Sequence, residues 1–345
     1  MAHNDGSDFK LATLSVAGCA PFPALVMGER AHALRAVSEY VQDRYGSIEG
    51  RDSMLAMLES WPTNLPRLRA AAAALARGEA PQLAERGTPL DALTFHAPID
   101  RPRQIFCSGA NYKRHVVQII IAQTSEATKA MSEEERRAYG QKMMDERAAH
   151  GTPFFFVKAQ SALTGPFDPI LLPRNAQQPD WELELAVVIG RRARNVSRAE
   201  ALEYVAGYTV ANDITSRDRL YRRAGDMREM GMDWVACKCS QSYLPLGPYL
   251  VPTEAVGDPQ RLRITLKLNG ETRQDDNTAD MIFGVARLIE DLSSKVTLLP
   301  GDLICTGSPA GNGVHYNRFL KAGDVLEGSI QGLGTQRNPC IAEPN

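Results

Sequence analysis

The chain has 345 residues and a formal net charge of −2 at pH 7, with 43% hydrophobic and 23% charged residues. A chain of this length can bury a sizeable core, either in one large domain or in a large domain with a smaller companion. Because there is no basic surplus, we expect no nucleic-acid partner. The longest apolar runs, residues 116–122 and 185–189, are too short to cross a bilayer, so we expect no membrane partner either.

The six cysteines are scattered, and only Cys237 and Cys239 lie close together. There is no CxxC pair, and the polar start of the sequence does not resemble a secretory signal. We therefore expect reduced cysteines and a cytoplasmic protein. Two cysteines one residue apart, without further ligands, do not favour a thiolate metal site.

The first hundred residues differ in pattern from the rest of the chain. Alternation over residues 10–17 predicts a strand, and helix-forming runs predict helices around 31–45, 51–61 and 65–77. Glycine and proline then break the pattern, and Pro98–Pro102 is typical of a linker. We predict a small α/β N-terminal domain of residues 1–100, followed by a second domain of residues 101–345.

The second domain is dominated by short predicted strands. Strands are expected at residues 104–109, 154–158 and 263–269, and the last is followed by the hairpin dipeptide Asn269-Gly270. Many short strands with isolated helices predict a β-rich α+β domain, and not a doubly wound sheet.

Capping signals mark the helices of this domain. Ser132 and Glu135 form a capping box before a helical run, which predicts a helical insertion at about residues 120–150. Ser197 and Glu200 form a second capping box and predict a short helix that ends near residue 206. Amphipathic spacing predicts another helix over residues 278–292.

The run from Asp180 to Gly190 combines strand-like alternation with two acidic residues. Glu182 and Glu184 fall on one face of the predicted strand, with Cα atoms roughly 6–7 Å apart, and their carboxylates repel each other unless a cation lies between them. A third acid, Asp213, follows another strand-like run. Three carboxylates suit a hard ion such as Mg²⁺, Mn²⁺ or Ca²⁺. The alternative is an edge strand with two solvated glutamates, because alternating acids are common on exposed faces.

Eight segments of the chain follow one another in a recognisable order: Gly109-Ala-Asn-Tyr-Lys-Arg-His115, Pro153-Phe-Phe-Phe-Val-Lys158, Trp181-Glu-Leu-Glu-Leu-Ala-Val-Val-Ile-Gly190, residues 207–218, Pro245-Leu-Gly-Pro248, residues 269–281, Leu299-Pro-Gly-Asp-Leu-Ile-Cys-Thr-Gly-Ser-Pro309, and Gly332-Leu-Gly334. In these motifs, roughly residues 100–340 resemble the fumarylacetoacetate hydrolase family. The first hundred residues match only loosely.

The resemblance implies a mixed β-sandwich or β-roll catalytic domain that acts on 1,3-dicarbonyl acids with one divalent cation. It implies Glu182, Glu184 and Asp213 as the metal ligands, which is the trio reached above from the local pattern. Mg²⁺ or Mn²⁺ is the expected ion, with Ca²⁺ as an alternative. The resemblance also implies a homodimer and a small oxo-acid substrate.

Five further residues receive roles from the resemblance. His115 is implied as the base that activates water, and Lys238 as a second catalytic residue. Lys158, Ser308 and Tyr112 are implied as substrate-binding residues. A lysine ammonium can hold a carboxylate or an oxyanion as a point charge.

Several positions depart from the family pattern. Many relatives carry a glutamate three residues after the histidine, and Gln118 occupies that position in this chain. Glutamine can orient the ring but cannot stabilise an imidazolium as an anion would. Asp145 or Glu146 of the inserted helix is an alternative acidic partner. Leu220 and the neighbours of Lys238 also depart, which points to a substrate with a more apolar distal group. Arg217 and Asp218 are interpreted as a structural ion pair.

The function predicted from these observations is a divalent-metal-dependent catabolic hydrolase that cleaves a C–C bond in an acylpyruvate-like or 2,4-dioxo acid. The alternative keeps the metal and changes the reaction to 2-oxo acid decarboxylation, isomerisation or hydration. A non-catalytic binding protein with the same fold is a third hypothesis, which the presence of all three acids and His115 disfavours. The helical insertion after His115 is interpreted as a lid over the site.

Overall fold

A computed structural model of the chain describes residues 8–122, 125, 127–221 and 231–344. The described strands are β1 (Lys10–Ser15), β2 (Phe22–Met27), β3 (Arg30–Ala33), β4 (Thr88–Pro89), β5 (Thr94–His96), β6 (Ile105–Ser108), β7 (Phe155–Val157), β8 (Leu163–Thr164), β9 (Ile170–Leu172), β10 (Pro179–Asp180), β11 (Leu183–Ile189), β12 (Val205–Asn212), β13 (Thr215–Ser216), β14 (Leu244–Pro245), β15 (Val251–Pro252), β16 (Arg263–Leu268), β17 (Glu271–Asn277), β18 (Leu303–Cys305), β19 (Val325–Ile330) and β20 (Gly334–Ala342). The described α-helices are α1 (Leu34–Tyr45), α2 (Met54–Glu59), α3 (Trp61–Ala76), α4 (Pro81–Glu85), α5 (Lys113–Ala122), α6 (Glu133–His150), α7 (Trp234–Lys238), α8 (Thr253–Val256), α9 (Val285–Lys295) and α10 (Gly313–Tyr316).

The N-terminal part is a five-stranded antiparallel sheet, in the order β4-β3-β2-β1-β5, with α1 and α3 packed against it. Strand β1 confirms the strand predicted from alternation. The helix predicted from residue 31 begins later, at Leu34, because residues 30–33 pair with β2 as strand β3. Strands β2 to β5 were not predicted from the sequence.

Two larger sheets form the remainder of the protein. The six-stranded sheet has the order β15-β12-β11-β18-β6-β7, and the five-stranded sheet has the order β17-β16-β19-β20-β9. They pack against each other through β11 and β12 on one side and β16, β19 and β20 on the other. Gly328 on β19 makes this approach possible, because a Cβ there would lie 2.4 Å from a methyl group of Leu183. The α+β prediction and its sandwich architecture are confirmed.

The predicted helix and turn signals have mixed outcomes. The capping box of Ser132 and Glu135 is present, and α6 ends at Gly151 as predicted. The hairpin at Asn269-Gly270 joins β16 to β17, with both residues at positive φ.

Two helix predictions were wrong in extent. After Ser197 there is only a 3₁₀ turn at Ala201–Tyr204, because Val205 already begins the central strand β12. The helix predicted over 278–292 is divided into a 3₁₀ turn at Thr278–Asp280 and helix α9, which begins after Gly284.

One hydrophobic core runs through both predicted domains. It includes Leu11 and Trp61 from the N-terminal part and the β11 and β12 side chains from the sheet beyond. Leu11 and Leu250 also exchange backbone hydrogen bonds of 2.9 and 2.8 Å. The boundary near residue 100 therefore stays a prediction. No helix among the described residues is long and apolar enough to span a membrane.

Candidate active site

The three predicted acidic ligands meet at one end of the six-stranded sheet. Glu182 immediately precedes β11, Glu184 is the second residue of that strand, and Asp213 immediately follows β12. Antiparallel pairing brings these strand ends together, and the Asp213 N–H donates to the Glu182 carbonyl at 2.8 Å. Strand β11 lies between β12 and β18, and its side chains are buried. The alternative of a solvated edge strand was therefore wrong.

The arrangement of these carboxylates fits a single hard cation. One oxygen from each of Glu182, Glu184 and Asp213 lies within 4.8 Å of the others. Oxygens bound to one ion at about 2.0–2.6 Å cannot lie more than about 4–5 Å apart, so the spacing is compatible with a shared ion. Within the described ranges, no other group of three His, Cys, Asp or Glu side chains meets this condition. The donor set is entirely oxygen, which favours Mg²⁺, Mn²⁺ or Ca²⁺.

Three buried or half-buried cations contact the acids. Lys238 Nζ lies 2.7 Å from Glu182 Oε2 and 2.6 Å from Asp213 Oδ2. Lys158 Nζ donates to Asp213 Oδ1, and Arg217 donates to both Asp180 and Glu182. A buried carboxylate is stable only when it is paired and hydrogen-bonded, and these cations provide such partners for Glu182 and Asp213.

The two glutamates experience opposite electrostatic environments. Burial disfavours ionisation of Glu182, but the charges of Arg217 and Lys238 outweigh it and hold the pKa of that carboxyl below its usual range. Burial and the neighbouring Asp213 charge raise the pKa of Glu184 well above its usual value. Glu184 accepts only the Gly307 N–H, at 2.7 Å, among the hydrogen bonds described. Protein groups therefore stabilise the carboxylate form of Glu184 less than that of Glu182, and a bound cation would add most at this residue.

His115 lies on α5, is buried, and lines the same cavity as the acids. Its Nδ1 atom is 3.4 Å from Nε2 of His315 on α10, with the two rings nearly perpendicular at 83°. Burial lowers the pKa of His115 to about 3 and, together with the charge of Arg217, that of His315 to about 4. Both imidazoles are therefore neutral at pH 7. When His115 Nδ1 carries the proton of this contact, its Nε2 keeps the lone pair that a general base needs.

None of the three residues considered as partners of His115 forms a described hydrogen bond with it. Gln118 lines a separate cavity between α5 and α6, and its buried Oε1 has no hydrogen-bond partner within the described ranges. Asp145 pairs with Lys113 at 2.9 Å, and Glu146 lies at 4.0 Å from Lys142 on the exposed face of α6. The sequence did not suggest His315, which lies 200 residues from His115 and outside the motifs that carry the resemblance.

Two predicted substrate-binding residues lie outside the described cavity lining. The side chain of Lys158 is completely buried and contacts Asp213 and the Ile214 carbonyl, so it supports the position of Asp213. Tyr112 is also completely buried, on the backbone segment that bridges to Met281. Ser308 does line the cavity, and its hydroxyl accepts hydrogen bonds from two buried side-chain amides, those of Gln274 and Asn312.

Arg217 and Asp218 do not form the ion pair expected from the sequence. Arg217 pairs with Asp180 at 2.9 Å and with Glu182, while Asp218 accepts the backbone N–H groups of residues 177 and 178 at 3.0 Å. Arg217 is thus part of the charged cluster, and Asp218 holds the preceding loop.

The acids and His115 open into a cavity of about 450 Å³. Much of its lining away from the charged cluster is apolar and comes from five separate segments of the chain: Ile119, Phe154, Phe156, Leu220, Met232, Trp234 and Val314. Helix α5, which begins before the predicted insertion of residues 120–150, contributes His115 and Ile119, which share one face one turn apart. Cys237 and Cys239 lie at the end of the short helix α7, and the six cysteines are all free thiols.

The sequence profile of the fumarylacetoacetate (FAA) hydrolase C-terminal domain matches residues 104–341. The chain belongs to the fumarylacetoacetate hydrolase family. Within this family, the mitochondrial oxaloacetate tautomerase FAHD2A of Bos taurus is 37% identical over 255 residues, which cover 73% of this chain and 71% of that protein. The 2,4-didehydro-3-deoxy-L-rhamnonate hydrolase of Sphingomonas sp. (strain SKA58) is 46% identical over 188 residues, or 54% of this chain and 64% of that protein.

The solved structures related to this member of the family share its architecture over nearly the whole chain. Maleylpyruvate hydrolase from Sphingobium sp. SYK-6, crystallised in complex with manganese(II) and pyruvate, superimposes with a TM-score of 0.69 at 25% identity. That match covers 97% of this chain and 100% of the other. The superimposed region includes the N-terminal residues, whose sequence resembles the family only loosely. These relatives are enzymes and include hydrolases and a tautomerase. This chain therefore belongs to a family of enzymes, and its three carboxylates have a spacing compatible with a metal ion.

Proposed function

We propose that this protein is a divalent-metal-dependent hydrolase that cleaves the C–C bond of an acylpyruvate, with an apolar acyl group. One observation carries the proposal: a carboxylate trio, a neutral buried histidine and an apolar chamber all line one cavity. The 2-oxo acid end of the substrate suits the charged end of this cavity, and the acyl group suits the apolar part.

Glu182, Glu184 and Asp213 would hold the ion, whose contribution when bound is to polarise a substrate carbonyl as a Lewis acid. Lys238 lies within hydrogen-bond distance of two of these acids and lines the cavity, so its ammonium can also hold a substrate carboxylate or oxyanion. Lys158 keeps Asp213 in place from behind. Arg217 does the same for Glu182.

His115 serves as the general base in this proposal. It takes a proton from water, and the water oxygen adds to the acyl carbonyl carbon of the substrate. The C–C bond to the methylene carbon then breaks, and its electron pair passes to the pyruvate half as an enolate. That enolate takes up the proton, which leaves one carboxylic acid and one pyruvate for each water consumed.

Product analysis tests this proposal. Purified protein with Mg²⁺ or Mn²⁺ is incubated with acetylpyruvate, and acetate and pyruvate are quantified by chromatography against a chelator-treated control. Equimolar acetate and pyruvate, formed only with the metal, are expected. Metal-replete protein that consumes no acylpyruvate would rule out the hydrolase.

A metal-dependent oxaloacetate tautomerase is the second candidate. It is favoured by the similarity to the Bos taurus enzyme and by the environment of His115, whose ring contacts a neutral histidine instead of a carboxylate. A base without an anionic partner is better suited to moving a proton on an acidic carbon than to activating water. Oxaloacetate run in parallel separates the two: loss of its enol absorbance without carbon products indicates a tautomerase, and release of pyruvate indicates a decarboxylase.

We also propose, from the family resemblance, that the protein acts as a homodimer in the catabolism of oxo acids. A cytoplasmic location stays a prediction. The related Bos taurus tautomerase is described as mitochondrial, which makes fractionation of cells the relevant measurement.

A further inference from the structure

Three aromatic side chains form one wall of the cavity. Phe154 and Phe156 project to the same side of the edge strand β7, whereas Phe155 between them packs against Lys295. Trp234, the first residue of helix α7, stacks on Phe156 with ring centroids 4.5 Å apart and planes 5° from parallel. Phe154 lies 5.6 Å from the Trp234 ring at an angle of 46°, so the three rings form a continuous angled surface.

This aromatic wall, Phe154, Phe156 and Trp234, begins at the charged end of the cavity. Lys238 Nζ lies 5.0 Å from the Phe156 ring centroid, and the same atom contacts Glu182 and Asp213. Trp234 and Lys238 are one turn apart on α7, so the helix directs both side chains to the cavity. A substrate whose oxo-acid end lies at the acids therefore places its other end against the rings.

The local backbone fixes the wall in position. A Cβ at Gly109 would lie 1.9 Å from the Phe154 ring, so only glycine allows that ring to lie against the backbone. Asp233 caps helix α7 by accepting the Ala236 N–H at 2.9 Å, which holds Trp234 at the helix start. The wall is thus a rigid surface built before any ligand binds, and a rigid ring surface favours a planar π-system as its partner.

Beside the aromatic wall, the described lining of the cavity is apolar. Among the described lining residues, the cations are Arg217 and Lys238, and both are engaged by Asp180, Glu182 or Asp213. The apolar lining residues outside the wall include Met232. A thioether sulfur makes favourable contacts with aromatic rings, including a ring of a bound substrate. An apolar acyl group that lies against these described residues buries its surface there without placing a charge on apolar groups.

Resting on the proposed function, we infer that the acyl group is a planar aromatic ring, so that the preferred substrate class is the aroylpyruvates. Hydrolysis of benzoylpyruvate would then give benzoate and pyruvate. The wall is the specificity determinant. A substrate with a methyl group in place of its phenyl ring loses the apolar contact with the wall. A substrate with a saturated ring keeps the buried area but loses the aromatic contact.

Steady-state kinetics with three substrates tests the inference on the metal-loaded protein. Compared with acetylpyruvate, benzoylpyruvate is expected to have a roughly 10- to 100-fold higher kcat/KM, from burial of the phenyl ring. Cyclohexanoylpyruvate is expected to fall about three- to tenfold below benzoylpyruvate, because it lacks the π-system. Trp234→Leu should bring these two ring substrates to within about twofold of each other. Phe154→Leu, at a side chain that is 40% exposed, gives a second test if the first variant does not fold.

Val235→Ala is the matched control, because this residue follows Trp234 on the same helix but is 72% exposed and outside the lining. It should leave the substrate ratios unchanged. Equal kcat/KM for acetyl and benzoyl substrates would overturn the inference and leave the hydrolase intact.

Binding separates failure of the inference from failure of the proposed function. Trp234 is the cavity-lining member of the three tryptophans, whereas Trp61 and Trp181 are buried. Quenching of tryptophan fluorescence by benzoylpyruvate, at least tenfold tighter than by acetylpyruvate and lost in Trp234→Leu, supports the wall even when no cleavage occurs. Equal affinities for the two compounds contradict it.

Discussion

At the residue scale, the site depends on few groups with distinct tasks. Glu182 is compensated by Arg217 and Lys238, whereas Glu184 receives one backbone N–H and has a raised pKa. The unequal compensation means that the carboxylate form of Glu184 is the one that a bound cation would stabilise most.

Glu184→Gln is therefore expected to abolish metal-dependent turnover and to weaken Mn²⁺ binding at least 100-fold, because the amide keeps the shape and loses the charge. Isothermal titration with Mn²⁺ and a turnover assay measure the two effects. Glu203→Gln, at an exposed glutamate before β12, is the control and should change neither quantity. Undiminished activity in Glu184→Gln would remove it from the metal ligands.

His315 is expected to position His115 instead of contacting the substrate carbonyl. The 3.4 Å contact between His115 Nδ1 and His315 Nε2 would hold the orientation of the His115 ring and, when Nδ1 carries the hydrogen of this contact, leave Nε2 free to accept a proton. His315→Leu should lower kcat roughly tenfold with little change in KM, since losing an orienting hydrogen bond costs about 1–1.5 kcal/mol. His315→Gln, whose amide can reach the same atom, should recover part of the rate. If both variants lose equal activity, the role of His315 is only to fill space.

At the element scale, the sheet interface sets the position of the ligands. Leu183 lies between the two glutamates in sequence, and its side chain packs over Gly328 of the second sheet. Movement of β11 at this contact would shift both acids together, since they flank the residue that makes it.

Gly328→Val is expected to destabilise the protein by about 1–3 kcal/mol, because the added methyl groups must displace Leu183 from a close-packed core. Metal affinity should fall with it. Ser329→Val is the matched control, since the side chain of the next residue on β19 projects to the other face, and its effect should stay below about 1 kcal/mol. Denaturant unfolding measures both variants. Equal destabilisation would show that the site does not depend on this approach of the two sheets.

At the scale of the whole molecule, the buried histidines couple stability to pH. His115 and His315 have folded-state pKa values of about 3 and about 4, below the ordinary value of 6.5. Between pH 6.5 and 4 these two imidazoles are therefore protonated in the unfolded chain and neutral in the native state. Their contribution to the free energy of unfolding falls as the pH drops through this window.

The expected slope is about 1.4 kcal/mol per pH unit for each of the two histidines that the unfolded chain protonates and the native state does not. Urea unfolding at several pH values between 7.5 and 4.5 measures it. In the double variant His115→Asn, His315→Asn, the dependence of the free energy of unfolding on pH should lose the contribution of these two imidazoles. An unchanged slope would mean that the imidazoles titrate alike in both states.

The sequence determined which residues must be close together, since alternation and strand order predicted the grouping of Glu182, Glu184 and Asp213 that the structure shows. These are local properties: side-chain period, strand ends and the repulsion of like charges act over a few residues. The hairpin at Asn269-Gly270 and the capping box of α6 were predictable for the same reason.

Only the tertiary structure decided what stands beside these residues. His315 reaches His115 from 200 positions away, Trp234 stacks on Phe156, and Tyr112 and Lys158 are buried outside the cavity lining. Such neighbours follow from how the sheets and short helices close over one another, and no period or spacing in the chain encodes that closure locally. The sequence therefore specifies the carboxylates that suit a metal, and the packing of distant elements specifies the neighbour of His115 and the shape of the apolar part of the cavity.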